Sequence, residues 1–278
     1  MGPLGVVPGS ILDSFTGALE LPCARPMLNA AARVYRETRK RHDQLFNTYA
    51  MRPLAAVFVA AVAPTRVTPN QVTLLNLAVF VVAAAMLVAL PSYRGGLVAI
   101  AVLELSYCLD CADGMLARFK SLASKAGHLF DFFTDEIKAI LLVGALSVRA
   151  WRAGGLGLDG HSWAAGDARF LLSGIAGVIV VASALSLTNF VRSPEVSGRE
   201  TTVEAHYESV VTAKSTSLVG RIAGLVMMLL RFLNHYPSHV WVFAIAGRFD
   251  VFFWMYGLLN LLYLGKGWLG LLLRFGRR

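Results

Sequence analysis

The sequence predicts an all-α integral membrane protein, a bundle of six transmembrane helices preceded by an N-terminal amphipathic or interfacial helical segment. Three observations carry this expectation. Of the 278 residues, 56% are hydrophobic and only 15% are charged, with a mean hydropathy of +0.59. Soluble domains average about 45–50% apolar and about 25% charged residues. From position 70 onward, apolar runs of about 20 residues follow one another, the length a helix needs to cross hydrocarbon. Period-2 alternation is absent, which excludes a membrane β-barrel, the other structure that satisfies its backbone in lipid. The composition also excludes a disordered chain and, with three cysteines, a disulfide scaffold. No zinc-ligand array is present, and no signal-like apolar stretch precedes the first span.

Residues 1–64 read as an N-terminal cytoplasmic or interfacial helical segment. Its first part carries Arg25, Arg33, Arg36, Arg39, Lys40 and Arg41, with apolar residues too sparse to span. Met27 to Phe46 reads either as a helix whose basic face meets anionic lipid or as a solvated arm. Arg52 to Ala63 is apolar but only about a dozen residues long, an interfacial helix rather than a span. It ends at Pro64, before the turn-like Thr68-Pro69-Asn70.

Residues 65–278 form the membrane domain. Gln71 to Leu90 is the first span, closed by Pro91. Gly95 to about Leu116 is the second, carrying Glu104, Asp110 and Asp113 toward its end. The third runs from about His128 to Val148, with Asp131, Asp135, Glu136 and Lys138 in its first half. Phe170 to Val191 is the fourth and Ser217 to Leu233 the fifth. The last begins between Val240 and Val251, where Arg248 and Asp250 interrupt the apolar run, and ends near Trp268. With both termini inside, 18 of the 26 basic residues fall on inner segments and 4 on outer loops. The positive-inside rule therefore predicts cytoplasmic termini and an even number of spans. The net charge of +9 is read as topology and attraction to anionic headgroups, not as a nucleic-acid surface.

Charged groups cost at least about 2.5–3.5 kcal/mol each at a bilayer centre, so acidic residues within spans need an explanation. Asp110 and Asp113 are spaced i, i+3 and Asp131 and Asp135 i, i+4, each pair on one helical face. Both pairs lie near the same ends of consecutive antiparallel helices and can converge. An oxygen-only donor set of four carboxylates suits Mg²⁺ or Mn²⁺, and a pair of such ions suits phosphoryl chemistry. Gly114 and Ala117 lack bulk, so a ligand can approach the backbone. Arg118 lies one turn beyond the first pair and can grip a phosphate oxygen. Gly127 opens the third span, where free N–H groups favour an anion.

Written out, the stretch is Asp110-x-x-Asp113-Gly114-x-x-Ala117-Arg118, eight residues, then Gly127-x-x-x-Asp131-x-x-x-Asp135. At all eight fixed positions it resembles the signature of the CDP-alcohol phosphotransferase (CDP-alcohol phosphatidyltransferase) family. A chance match in a chain of this length is on the order of 10⁻⁸ from average residue usage. More loosely, the resemblance extends over residues 65–270 through the six-span layout and Thr68-Pro69-Asn70-x-x-Thr73. It implies that Asp110, Asp113 and Asp131 ligate two divalent ions, Mg²⁺ or Mn²⁺, and that Asp135 is the general base and also touches the second ion. It further implies that Gly114, Ala117 and Arg118, with Asp113 and Gly127, hold the CDP diphosphate. A carboxylate near its usual pKa of about 4 is a weak base for an alcohol, so Asp135 acts either by abstracting the proton or by positioning.

The activity the resemblance implies is transfer of a phosphatidyl group from a CDP-alcohol, CDP-diacylglycerol foremost, to a small polar alcohol with release of CMP. The alternative is a soluble donor of the CDP-choline or CDP-ethanolamine kind with a lipid acceptor. In relatives with phosphorylated acceptors, basic residues bind the acceptor phosphate. Arg192 and Arg221 match them by position only, with snorkelling to headgroups as the competing account. Glu136 stands where inositol-phosphate-using relatives often carry Arg, which speaks against that acceptor. The family implies a homodimer, and the basic-residue distribution puts the site on the cytoplasmic side, at the inner or plasma membrane, with no nucleic-acid partner. Outside the family, a divalent-cation transporter would spread its acidic residues through the bilayer depth, and it leaves Gly114, Ala117 and Arg118 without a role.

Overall fold

A computed structural model describes residues 25–40, 43–193, 196, 229, 232, 233 and 235–275. Its elements are α1 (Arg25–Thr38), a π-helical turn (Asn47–Met51), α2 (Arg52–Val62), α3 (Pro69–Ala89), α4 (Tyr93–Phe119) and α5 (Lys125–Ala153). They continue with β1 (Gly155–Leu156), β2 (Ser162–Trp163), α6 (Ala168–Arg192), a 3₁₀ turn (Tyr236–Ser238), α7 (Val240–Ile245) and α8 (Phe249–Phe275). The chain divides into two compact units. One comprises Met1–Val82 and Val102–Asp135, the other Ala83–Ala101 and Glu136–Arg278.

In the first unit, the N-terminal segment is part of the core. Pro26 stands in the first turn of α1, where its fixed φ suits the helix. It buries Ala31, Val34 and Thr38, residues spaced for one helical face. Its opposite face is polar, with Arg33 reaching Glu37 at 2.7 Å. Ala31 and Val34 join Ala55, Ala56 and Val59 of α2, Val72 of α3, and Leu109, Ala112, Met115 and Leu116 of α4 in one apolar cluster. The helix closes at Thr38, short of the Phe46 limit read from the sequence.

Thr68 and Gln71 explain the start of α3. Gln71 Oε1 accepts from Thr68 N at 2.9 Å and Thr68 Oγ1 accepts from Gln71 N at 3.4 Å. This is a reciprocal capping box, with Pro69 at the first helical position. Lys120 Nζ, just past the end of α4, donates to Thr65 O and Val67 O at 2.9 Å each. The segment leading into α3 is thereby tied to the residue that follows α4.

The second unit depends on Arg149 and on the β1–β2 hairpin. Arg149 donates to the carbonyls of Leu87 (3.2 Å), Leu90 (2.7 Å), Pro91 (3.0 Å) and Ser92 (2.9 Å). These include acceptors that a helix C-terminus leaves unpaired. Arg152 adds bonds to Val88 O and Ala89 O. The Arg149 guanidinium also lies 4.4 Å from the centre of the Phe249 ring. A Cβ on Gly96 would approach Arg149 Nη2 to 2.6 Å and Phe249 to 2.7 Å, so the glycine makes room for this cap. Arg149 and Arg152 are two of the four basic residues that the positive-inside count assigns to outer loops, with Arg94 and Arg169; in the structure both lie in α5 and cap α3.

The hairpin pairs Gly155 with Trp163 and Leu156 with Ser162, antiparallel. Trp163 is buried edge-on against Phe170 and Trp254. Asp250, in the first turn of α8, accepts from Leu156 N at 2.7 Å and pairs with Arg248 at 3.0 Å. The charges that blur the last span in the sequence therefore mark its beginning: α7 is a separate short helix, and α8 starts at Phe249.

Among the described residues, four helices are long and apolar enough to cross a membrane: Pro69–Ala89, Tyr93–Phe119, Ala168–Val191 and Phe249–Leu273. α5 has 29 residues, a length of roughly 44 Å. Asp131, Asp135, Glu136 and Lys138 make its first half too polar to qualify by composition. The fifth span expected at 217–233 lies almost wholly outside the described residues. The described helices thus support four of the six expected spans.

Arg149→Lys replaces a planar fork with a point charge that has three donors for four carbonyls. We expect it to lower stability by about 1–2 kcal/mol. A fall of several degrees in the thermal unfolding midpoint of detergent-solubilised protein would show this, and an unchanged midpoint would contradict it.

Candidate active site

The motif occupies the last turns of α4 and the first turns of α5. Leu109, Ala112, Met115 and Leu116 are buried in the apolar cluster and fix which face of α4 turns inward. The same stretch carries Asp110 and Asp113, and α3 supplies a hydrogen-bond donor to each.

Thr73 Oγ1 donates to Asp113 Oδ2 at 2.6 Å, with Asp113 only 4% exposed. Asn76 Nδ2 donates to Asp110 Oδ1 at 2.8 Å, and Ser106 Oγ donates to Asn76 Oδ1 at 2.6 Å. This chain determines the orientation of the Asn76 amide. A flipped amide would place its carbonyl oxygen against the carboxylate, two acceptors face to face. Asn76 is fully buried, so its donors have no water to turn to.

On α5, Ser124 caps the helix. Its Oγ accepts from Gly127 N at 3.0 Å, and its carbonyl accepts from His128 N at 3.1 Å. The helix opens at Lys125, ahead of the start near His128 read from the sequence, and the Gly127 N–H expected to be free for an anion is bound to Ser124. A Cβ on Gly127 would come within 3.3 Å of Asn70 Oδ1, so this glycine lets Asn70 approach the start of α5.

Asp110, Asp131 and Asp135 each offer an oxygen, and the three lie within 4.8 Å of one another. Asp110 and Asp131 are half-buried and Asp135 is exposed. Two carboxylates at that separation repel by about 3 kcal/mol at an effective dielectric constant of about 20. A divalent cation removes this repulsion, and an all-carboxylate oxygen set suits a hard ion such as Mg²⁺ or Mn²⁺. The donor set therefore fits a metal. Asp113, the fourth carboxylate of the motif, is not among the converging three and is held by Thr73.

Gly114 differs from the crowded glycines elsewhere. A Cβ there would meet only Arg118, at 3.5 and 3.9 Å, which is ordinary contact. Packing among the described residues does not require a glycine at this position. Ala117 and Arg118 follow on the same helix, and the chain then leaves through Ser121 at φ 54°. Cys108 and Cys111, interleaved with the aspartates, are free thiols. Arg221 lies outside the described residues, as does the side chain of Arg192, whose backbone closes α6. Glu136 accepts from Asn189 Nδ2 at 2.7 Å.

Sequence reasoning passed over Asn76 and Ser106. The signal was present: Thr73 and Asn76 are two polar residues one turn apart in an otherwise apolar span, where polar groups seek partners. Asn76→Asp would set a second carboxylate against Asp110. We expect at least a 100-fold loss of turnover or a protein that no longer folds, with Asn76→Ala losing about 10- to 100-fold, as supporting residues of metal sites do. Turnover of either variant equal to the parent would show that Asn76 does not support Asp110.

A family model for CDP-alcohol phosphatidyltransferases matches residues 66–263, well over half of the chain. A comparison with curated proteins finds no match. The matched region begins just before the Thr68 cap, contains all four motif aspartates and ends within α8. With four apolar helices of spanning length among the described residues and this match, the chain is an integral membrane protein of the CDP-alcohol phosphatidyltransferase family, a transferase of substituted phosphate groups that takes the phosphatidyl group from a CDP-alcohol in phospholipid synthesis.

Proposed function

We propose that this chain transfers the phosphatidyl group of CDP-diacylglycerol to the hydroxyl of a small polar alcohol and releases CMP. The acceptor oxygen attacks the β-phosphorus, which carries the diacylglycerol. A new P–O bond forms as the bond to the bridging oxygen breaks, and CMP departs with that oxygen. The hydroxyl proton passes to Asp135 or, where Asp135 only positions the alcohol, to solvent. The convergence of Asp110, Asp131 and Asp135 within 4.8 Å, with Asp135 the exposed member, carries this reading. An incoming hydroxyl can reach Asp135, while Asp110 is held from α3 by the Asn76 amide.

Asp110, Asp131 and Asp135, with Asp113 beside them, would hold two divalent ions, Mg²⁺ or Mn²⁺. When bound, these ions supply charge neutralisation of the diphosphate and of the departing CMP. The open space at Gly114 and the guanidinium of Arg118 suit the diphosphate, with Ala117 completing that wall. In our reading the membrane domain has six spans, the termini and the site face the cytoplasm at the inner or plasma membrane, and the protein is a homodimer. Acceptor binding by Arg192 and Arg221 belongs to the same reading. A soluble CDP-alcohol with a lipid acceptor is the variant of this chemistry that the same assay resolves.

The test is CMP release by the purified full chain with Mg²⁺. Donors are CDP-diacylglycerol or soluble CDP-alcohols, and acceptors are serine, glycerol phosphate, inositol and inositol phosphate. CMP release with CDP-diacylglycerol and one small alcohol is the expected result. Release only with a soluble donor and a lipid would reverse the assignment of donor and acceptor. Asp110→Asn should lose at least 100-fold in turnover while its metal-free unfolding midpoint stays near that of the parent. A fully active Asp110→Asn would remove the two-metal proposal. Gly114→Leu fills space that no described side chain needs, so it should raise KM for the CDP-alcohol about 10-fold or more without lowering stability. Unchanged KM would place the diphosphate elsewhere.

A further inference from the structure

Residues 43–52 precede the region matched by the family model, and nothing in the aspartate motif calls for them. They nonetheless form a connected polar chain that ends one turn from Asp110. Arg52, 7% exposed, forms an ion pair with Asp43, whose side chain is 12% exposed. Asp43 Oδ1 accepts from Gln44 N at 2.9 Å and from Asn47 Nδ2 at 3.1 Å. Asn47 Oδ1 accepts from the Tyr107 hydroxyl at 2.5 Å. Phe46 lies parallel to the Tyr107 ring, with centroids 6.5 Å apart and planes 8° apart. Between Phe46 and Arg52 the backbone makes a π-helical turn, a rare form that recurs at functional sites.

Tyr107 stands three residues before Asp110, on the same face of α4. The preceding residue, Ser106, bonds to Asn76, which holds Asp110 from α3. Consecutive residues of α4 thus grip two different elements, Ser106 toward α3 and Tyr107 toward the N-terminal segment. Two such anchors restrict the roll of α4 about its axis, which a single contact does not.

The size of that restriction matters. Side-chain ends lie about 5–6 Å from a helix axis, so a roll of roughly 10° moves a carboxylate by about 1 Å. Displacements of that order can cost about 100-fold at a reacting centre. A buried ion pair such as Arg52–Asp43 is also weak as a source of stability, since apolar residues in its place are often neutral or better. Its use here is to hold Asp43, and through it Asn47, in one geometry.

We infer that the Asp43–Asn47–Tyr107 chain, clamped by Arg52, positions the turn of α4 that carries Asp110, so that the N-terminal segment is a working part of the metal site. Asn47 and Tyr107 are positioning residues that act through the helix. This inference rests on the proposed metal site.

The test is Mn²⁺ titration of the full chain, followed by the electron paramagnetic resonance of free Mn²⁺, together with unfolding in EDTA. The proteins are the parent, Tyr107→Phe, Asn47→Ala and the double variant. Tyr107→Phe keeps the ring against Phe46 and removes only the hydroxyl. We expect it to weaken Mn²⁺ binding about 3- to 10-fold, less than loss of a direct supporting residue. The double variant should bind no more weakly than the weaker single variant, because both remove one shared bond. Parent-like Mn²⁺ affinity in Tyr107→Phe would overturn the inference and leave the metal site standing. Additive losses in the double variant would overturn it too, including where the metal-free midpoint falls. A parent that binds no Mn²⁺ would remove the metal site itself and this inference with it.

Discussion

Three carboxylate oxygens drawn within 4.8 Å, in a chain that is 56% hydrophobic, impose the constraint that the rest of this fold answers. Like charges at that distance separate unless something holds them. The answer is distributed. Thr73 and Asn76 of α3 donate to Asp113 and Asp110, Ser106 orients Asn76, and Ser124 caps the helix that presents Asp131 and Asp135. Thr73, Asn76 and Ser106 are polar groups in buried surroundings, and each is satisfied by another polar group. What looks like a scattering of polar residues in α3 and α4 is a set of partners for the first two aspartates.

α4 shows how a single helix serves both demands. Leu109, Ala112, Met115 and Leu116 commit one side to the core shared with α1, α2 and α3. The aspartates and Ser106 occupy the remaining positions. The helix cannot turn to relieve its charges without exposing that apolar face, so the core and the site constrain each other. The small residues of the cluster, Ala31, Ala55, Ala56 and Ala112, let helices approach closely at the level where the carboxylates must be held.

Much of this was legible in the sequence, for reasons that differ by feature. The spacing of Asp110, Asp131 and Asp135 follows the period of a helix, so their convergence could be read from residue numbers, whereas the bond of Asp113 to Thr73 of α3 could not. The end of the first span before Pro91 follows proline chemistry, which is local, whereas α3 and α6 each open two residues ahead of the Gln71 and Phe170 read from the sequence. Contacts between distant segments were not legible. Arg149 counts as one loop charge in the sequence, and no local pattern says that it will meet four carbonyls some sixty residues away. Asp250 disrupts the apolar run for a hydropathy window, yet it marks a helix start because Leu156 N needs an acceptor. Gly127 reads as the opening of α5 until Ser124, three residues earlier, is seen to take its N–H.

The bond from Lys120 to Thr65 and Val67 has a consequence for how such a chain enters a membrane. It closes the α3–α4 hairpin at its open end, and the bonds of Thr73 and Asn76 to the first two aspartates, with Ser106 on Asn76, lie wholly inside that hairpin. During synthesis, residues 65–120 emerge before Asp131 and Asp135. The hairpin can therefore fold its two costly carboxylates against their own donors while the charges that would repel them have yet to be made. Assembly in that order separates two electrostatic problems in time, and only the docking of α5 brings the full set of negative charges together.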